Sequence, residues 1–313
     1  MIKATVVSKI LLNDSVCQLK LVAENGLRLP EWQAGAHIDV QLPGDFTRQY
    51  SLCGQPQDNH YTIAVLKDKQ SRGGSVSVHE TVQKGDTLII SEPRNHFALD
   101  NSDAPCYLFA AGIGITPIVT MAEACQKAGR SFRVFYAVAD DKRAVYADRL
   151  GPASCVHVIS KAAFVGKRVD LNSCFYGAPD KAQVYVCGPG AFIQDVLSAA
   201  KNAGLSPSQL HREFFTAAET DTSSDEAFEI ELKSSGDIFT VNKDSTILSV
   251  LEENDVFVPV SCEEGVCGTC VTGLLDGEAE HRDVFLTDEE KQQMRLITPC
   301  CSRARSGRLV LDL

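Results

Sequence analysis

No stretch of the chain approaches the roughly 18 consecutive apolar residues that a membrane-spanning helix needs, although hydrophobic residues fill 44% of its 313 positions. The opening, MIKATVVSKILLNDS, lacks the long apolar centre and small-residue cleavage site of a secretion signal. It reads as a first strand, and a cytoplasmic protein is expected. A basic excess is also missing. Residues 217–313 hold 21 acids against 8 bases and residues 1–216 hold 20 against 22, so the net charge of −11 comes wholly from the last third. That distribution speaks against nucleic acid as partner and for a basic protein surface, since charge asymmetry chiefly steers encounter. A merely solubilising surface is the plainer alternative. The length favours two or three domains.

Cysteine, by contrast, is plentiful. Twelve occur, many for a chain expected in a reducing compartment, where structural disulfides are rare. Cys17, Cys53, Cys106, Cys125, Cys155, Cys174, Cys187 and Cys301 are scattered, several in apolar segments, where a cysteine is most often a small buried hydrophobe. The other four, Cys262, Cys267, Cys270 and Cys300, are spaced C-x4-C-x2-C-x29-C. Structural zinc favours paired C-x2-C knuckles, and only one is present. The x4 then x2 run is the plant-type [2Fe–2S] spacing. Gly265 and Gly268 in SCEEGVCGTC let backbone N–H groups approach the sulfides. Spacing does not choose between Cys300 and Cys301 as the fourth ligand.

Up to about residue 100, short alternating runs such as VCQLKLVA, AHIDVQL and DTLIISE are broken by turn residues, a pattern of strands in a sandwich or barrel. From about 103 the texture changes. APCYLFAAGIGITPIVTMAEACQKAG and AQVYVCGPGAFIQDVLSAAKNAG each run from buried strand through a glycine turn to a helix, which argues for a parallel sheet with helices on its faces. Residues 217–226, AAETDTSSDE, have linker composition. A hairpin follows, then a helix opening at Ser245 or Thr246, then the cysteine loop.

Two segments suit a flavin. In RQYSL, Arg48 and Tyr50 share one strand face and Ser51 adds a hydroxyl. In SRGGSVSVHE, Arg72, Gly73, Gly74 and Ser75 open a helix, where bare glycine amides and an arginine attract an anion. Alone, the first is ordinary strand chemistry and the second a flexible turn; together they are more specific. A nicotinamide dinucleotide is suggested by AAGIGITPI, whose Gly112 and Gly114 lead to Thr116 and Pro117 between strand and helix. The turn departs from G-x-G-x-x-G. A second turn holds Cys187, Gly188, Pro189 and Gly190, on the same expected rim beyond the strand ends. Asp140, closing a strand, is placed to accept from a ribose 2′-hydroxyl and repel a 2′-phosphate. NADH is thereby favoured over NADPH, with Lys142 and Arg143 beside it as opposing charges.

The order of these pieces along the chain resembles the phthalate dioxygenase reductase family, vanillate O-demethylase reductases included, over essentially the full length. The resemblance implies three domains: an antiparallel flavin β-barrel over 1–101, an α/β parallel-sheet NADH domain over 102–216 and, past the linker, a β-grasp-like α+β ferredoxin domain over 227–313. It implies that Arg48, Tyr50, Ser51 and Arg72–Ser75 hold the flavin, and that Thr116 and Cys187 line the nicotinamide site with Gly112, Gly114, Pro117, Asp140, Gly188 and Pro189. Phe215, or its neighbour Phe214, would cover the flavin ring, and Cys300 would be the fourth cluster ligand. FMN is expected, because no added adenosine-binding element is visible for FAD. The implied activity is hydride transfer from NADH to flavin, then single electrons through [2Fe–2S] to a Rieske-type terminal oxygenase, with no nucleic acid or membrane partner. The rivals are a reductase serving another one-electron acceptor, such as a soluble ferredoxin or haem monooxygenase, and a flavin/iron–sulfur redox sensor.

Overall fold

Strands whose successive side chains point to opposite faces build the first part of the molecule. The structure, a computed structural model, describes every residue except Asn25, Asp45, 69–72, 161–169 and 217–221, and all side chains of the others but that of Asp288. Strands β1 (Ile2–Leu11), β2 (Val16–Ala23), β3 (His37–Leu42), β4 (Phe46–Ser51), β5 (Tyr61–Leu66) and β6 (Thr87–Ile90), with helix α1 (Gly74–Glu80) before the last, form one antiparallel sheet ordered β4-β3-β6-β1-β2-β5. The sheet curls until its ends meet: Leu52, just past β4, bridges Ile63 of β5, and the Cys53 N–H donates to the Thr62 carbonyl at 2.9 Å. The barrel is therefore nearly closed, which removes exposed strand edges. Val6, Leu19, Leu21, Ile38, Val40 and Ile90 fill its interior.

The chain then alternates strand and helix: β7 (Cys106–Ala111), α2 (Ile115–Ala128), β8 (Phe132–Val138), β9 (Val156–Ser160), β10 (Gln183–Cys187), α3 (Gly190–Asn202) and β11 (Leu210–Glu213). The five strands are parallel, in the order β11-β10-β7-β8-β9. All six residues of β7 are buried, as a strand covered on both faces requires. Strand order reverses between β7 and β10, so a crevice opens at their carboxyl ends. Ile118, Val119, Val134 and Tyr136 of this layer share one apolar core with Cys53, Ala64 and Phe97 of the barrel segment. Barrel and parallel sheet accordingly form one compact unit, Met1–Glu213. Cys17, Cys53, Cys106, Cys125, Cys174 and Cys187 are buried free thiols and Cys155 is half-buried.

The second unit, Phe214–Leu313, contains β12 (Phe228–Leu232), β13 (Ile238–Val241), α4 (Ile247–Glu253), β14 (Thr272–Asp276), β15 (Ala279–Glu280), α5 (Asp288–Gln292), β16 (Leu296–Ile297), β17 (Arg303–Ala304) and β18 (Arg308–Leu311). Its mixed sheet runs β13-β12-β18-β14-β16, with β12 and β18 parallel. Helix α4 starts at the expected place. The Thr246 hydroxyl accepts from the Ser249 N–H at 3.0 Å, and the Ser249 hydroxyl accepts from the Thr246 N–H at 3.1 Å. Ile247 and Leu251 of that helix pack on Ile230 and Leu309.

The expected linker differs at its end. Residues 217–221 lie outside the described residues, but the Asp225 side chain is only 6% exposed and is gripped by Arg282 and Arg303. Arg282 Nη1 donates to Asp225 Oδ2 at 2.9 Å, and Arg303 Nε lies 3.4 Å from the same oxygen. A polar, acidic segment reads as solvated tether in sequence; here its acid is a buried ion-pair partner. Among the described residues, no helix is long and apolar enough to cross a membrane.

Candidate flavin, nucleotide and cluster sites

The two candidate flavin segments meet in space. A Cβ added to Gly74 would lie 2.8 Å from Arg48 Cγ, and one added to Gly73 would lie 2.3 Å from the Phe46 ring. Side chains of β4 thus pack directly on the Gly73–Gly74 turn, and Gly73, at φ 100°, holds a conformation that costs other residues strain. Arg72 lies outside the described residues. Arg48 Nη1 donates to the Thr47 carbonyl at 2.8 Å, and the Ser75 hydroxyl accepts from the Asp68 N–H at 3.2 Å. Burial pushes the Tyr50 phenol above its ordinary range, so it remains a hydrogen-bond donor. Ser51 Oγ is buried without a hydrogen-bond partner. Such an atom costs about 1–3 kcal/mol unless something satisfies it, which fits a ligand with polar edges.

The nucleotide turns interlock at the crevice between β7 and β10. A Cβ on Gly114 would fall 2.3 Å from the Cys187 carbonyl oxygen, so only glycine fits there, and a Cβ on Gly188 would fall 2.8 Å from that of Ala111. The Tyr136 hydroxyl donates to the Gly112 carbonyl at 3.2 Å, and the Thr116 hydroxyl donates to the Ile113 carbonyl at 3.0 Å. Pro117 lies in the first turn of α2, where its missing N–H costs no helical bond. Pro189 directly precedes α3. Burial first, and Glu213 second, push the Cys187 thiol well above its ordinary value. It stays neutral.

Asp140 stands beyond β8, with Oδ2 3.2 Å from Arg143 Nε and Oδ1 buried without a partner. One oxygen is thus spoken for and the other is available. Phe215, 37% exposed, belongs to the second unit, as does Phe214.

Two further side chains at this end of the first unit carry no motif. His37 begins β3 and Glu213 ends β11; His37 Nδ1 lies 3.9 Å from Glu213 Oε1, with the side chains 7% and 14% exposed. Both ring nitrogens of His37 and Glu213 Oε2 are buried without hydrogen-bond partners. Burial raises the Glu213 carboxyl to about 8. Burial, then the Arg94 and His96 charges, lower His37 to about 4. Glu213 was findable from the rule that ligands sit beyond parallel-strand ends; a lone histidine in AHIDV gave no such signal.

In the second unit the four spaced cysteines pair off. The thiols of Cys262 and Cys267 are neighbours, and so are those of Cys270 and Cys300. Two irons with two thiolates each need that arrangement. Among the described residues no three His, Cys, Asp or Glu side chains converge as one metal ion would demand. The Glu264 N–H donates to Cys262 Sγ and the Thr269 N–H to Cys267 Sγ, both at 3.4 Å; the Cys262 thiol, and then burial-opposed bonds from Thr269, hold Cys267 acidic, at about 5. Gly268 is at φ 72°, against the Phe285 ring, 2.2 Å from where a Cβ would stand. The Cys301 thiol also touches that of Cys300, but otherwise turns toward Thr298 Oγ1 at 3.3 Å and toward Gly265. Cys300, not Cys301, completes the pair with Cys270.

Comparison with known proteins agrees with this layout. Residues 230–305 match the family described as 2Fe-2S iron-sulfur cluster binding domain. The chain is 42% identical to a vanillate O-demethylase oxidoreductase of Pseudomonas sp. (strain HR199 / DSM 7063), over 100% of both chains. Its structure resembles that of phthalate dioxygenase reductase, described as a modular structure for electron transfer from pyridine nucleotides to [2Fe–2S], with TM-score 0.76, 36% identity, and coverage of 99% of this chain and 97% of that one. It also resembles part of an intact type IV self-sufficient cytochrome P450 monooxygenase, with TM-score 0.86, 37% identity, and coverage of 100% of this chain and 41% of that one. With a nearly closed antiparallel barrel, a parallel nucleotide sheet and a paired-thiol iron–sulfur unit in one chain, and relatives alike along its whole length, the protein belongs to the phthalate dioxygenase reductase family of oxidoreductases.

Proposed function

We propose that the chain takes hydride from NADH onto FMN and delivers electrons singly through a [2Fe–2S] cluster to a Rieske-type oxygenase. The observation that carries this reading is the meeting of Phe46 and Arg48 with the Gly73–Gly74 turn, the interlocked Gly114 and Cys187, and the paired thiols in one polypeptide. Bound flavin supplies the conversion of a two-electron hydride into single electrons. The chain supplies position and electrostatics. Arg48 and the Gly73–Ser75 amides hold the phosphate, Tyr50 and Ser51 give the ring edge its donors, and Arg72 adds charge. Gly112, Gly114, Thr116 and Pro117 seat the dinucleotide, Asp140 accepts from its ribose, and Cys187, Gly188 and Pro189 face the nicotinamide. Phe215, or its neighbour Phe214, would be the aromatic residue assigned to the flavin ring. Cys262, Cys267, Cys270 and Cys300 ligate the irons. The acidic second unit meets a basic acceptor surface.

The reading is tested by anaerobic addition of NADH to the holoprotein. Flavin and cluster absorption should both bleach, a one-electron dye should be reduced at many turnovers per second, and heat should release FMN. Release of FAD would overturn the cofactor assignment, and turnover too slow for catalysis would favour a sensor. A second reading, delivery to a haem monooxygenase, is favoured by the likeness to the self-sufficient P450 structure; coupled turnover with purified acceptors of each type decides between them.

A further inference from the structure

Beyond Asp140 the chain makes two short helical turns, Asp141–Arg143 and Ala147–Arg149, and Tyr146 between them is left-handed at φ 61°. A bulky side chain rarely adopts that conformation, and such strain persists only where the surroundings hold it. Here they do. The Tyr146 hydroxyl reaches the barrel, donating to Gln18 Oε1 of β2 at 2.7 Å and lying 3.5 Å from Cys53 Sγ. Tyr146, Gln18 and Cys53 are all buried, and burial keeps the phenol protonated as a donor.

We propose that Tyr146 is a positioning residue: it fastens the segment that carries Asp140 to the barrel, so that the adenosine ribose is read at a fixed place relative to the flavin strip. The inference rests on the function proposed above and on Asp140 as the group that meets the ribose.

Contacts on three sides support it. Toward the nucleotide, the Arg143 N–H donates to the Asp140 carbonyl at 3.0 Å and the Val145 N–H to the Arg143 carbonyl at 2.9 Å. Asp140 and Tyr146 are thus the ends of one folded turn, and a shift of one moves the other. Toward the flavin strip, Cys53 follows Ser51 and Leu52 directly. On the third side, the Arg149 guanidinium carbon lies 4.9 Å from the centre of the Tyr146 ring. Its Nε and Nη2 donate to the Glu123 carboxylate at 2.8 and 3.0 Å. Glu123 belongs to α2, whose first turn holds Thr116 and Pro117. The ring is clamped between the helix of the nucleotide turn and a barrel strand. Packing alone would be served by phenylalanine against an apolar neighbour. A buried hydroxyl facing a buried amide oxygen instead specifies a single arrangement of the two layers.

The test uses the full-length holoprotein, with adenosine 5′-phosphate and its 2′-phosphorylated analogue as probes of the adenosine end that need no hydride transfer. Tyr146→Phe leaves Gln18 Oε1 without its donor. Calorimetry should show the 5′-phosphate bound about fivefold more weakly, with narrowed discrimination against the analogue. In turnover, KM for NADH should rise by more than kcat falls. Combining Tyr146→Phe with Gln18→Leu removes the orphaned oxygen and restores apolar packing. The Tm of that double variant should return toward that of the unmodified protein while affinity for the 5′-phosphate stays weak. Recovery of both together, or unchanged affinity in Tyr146→Phe, overturns the positioning role. Equal affinity of the unmodified protein for the two probes would overturn it at its root, by removing Asp140 from the ribose. Failure of NADH to bleach the unmodified protein would instead sink the proposed function, a result on which neither probe depends.

Discussion

Arg143 Nε lies 3.2 Å from Asp140 Oδ2, so the acid expected to select NADH already has a cation on one oxygen. Asp140→Ser removes the charge that repels a 2′-phosphate and frees Arg143 to meet it. The ratio of kcat/KM for NADPH to that for NADH should rise about tenfold, about 1.4 kcal/mol. An unchanged ratio in steady-state assays would remove Asp140 from the site.

Cys267→Ser should abolish the visible absorption of the cluster while NADH still bleaches the flavin, because the first unit has its own cores. Anaerobic titration followed at flavin and cluster wavelengths checks this. Loss of both signals would refute independent units.

The Asp225 carboxylate is held below its ordinary range, first by hydrogen bonds from Arg282 and then by the Arg282 and Arg303 charges. A depressed native value means that its contribution is present above the unfolded value of about 3.9 and is lost as pH falls through the native one. Asp225→Ala should cost the second unit about 2 kcal/mol at pH 7, with the deficit shrinking in acid below about pH 4. Urea unfolding across that range is the measurement; a pH-independent deficit would show that packing, not charge, is responsible.

With 21 acids against 8 bases after residue 216, electron delivery to a basic acceptor should slow as salt rises, since exposed charges are screened beyond about 8 Å at physiological ionic strength. Rates measured between low and high salt, at constant NADH, would be flat if docking were not electrostatic.

Much of this architecture was legible in the residues because its signals are local. The glycine turns of AAGIGITPI and VCGPG, the alternation in VCQLKLVA and the spacing of Cys262, Cys267 and Cys270 each occupy a few adjacent positions. What escaped was set by partners distant in sequence. Asp225 reads as tether because Arg282 and Arg303, which bury it, lie 57 or more residues away. Cys300 and Cys301 are chemically alike, and only the placement of Cys270 and Thr298 distinguishes their surroundings. His37 and Glu213 are brought together by the barrel packing on the parallel sheet, and neither flanking sequence announces it.

The apolar core that joins barrel and parallel sheet also bears on how such chains recombine. A crossover between relatives near residue 101 would part Cys53, Ala64 and Phe97 from the Ile118, Val119 and Tyr136 they pack with, and mismatched halves would pay in cavities and clashes. A crossover just after Glu213 falls at the border of the two units and leaves that core intact. Chimeras that exchange the electron-exit module should fold there, and those cut at the earlier seam should not.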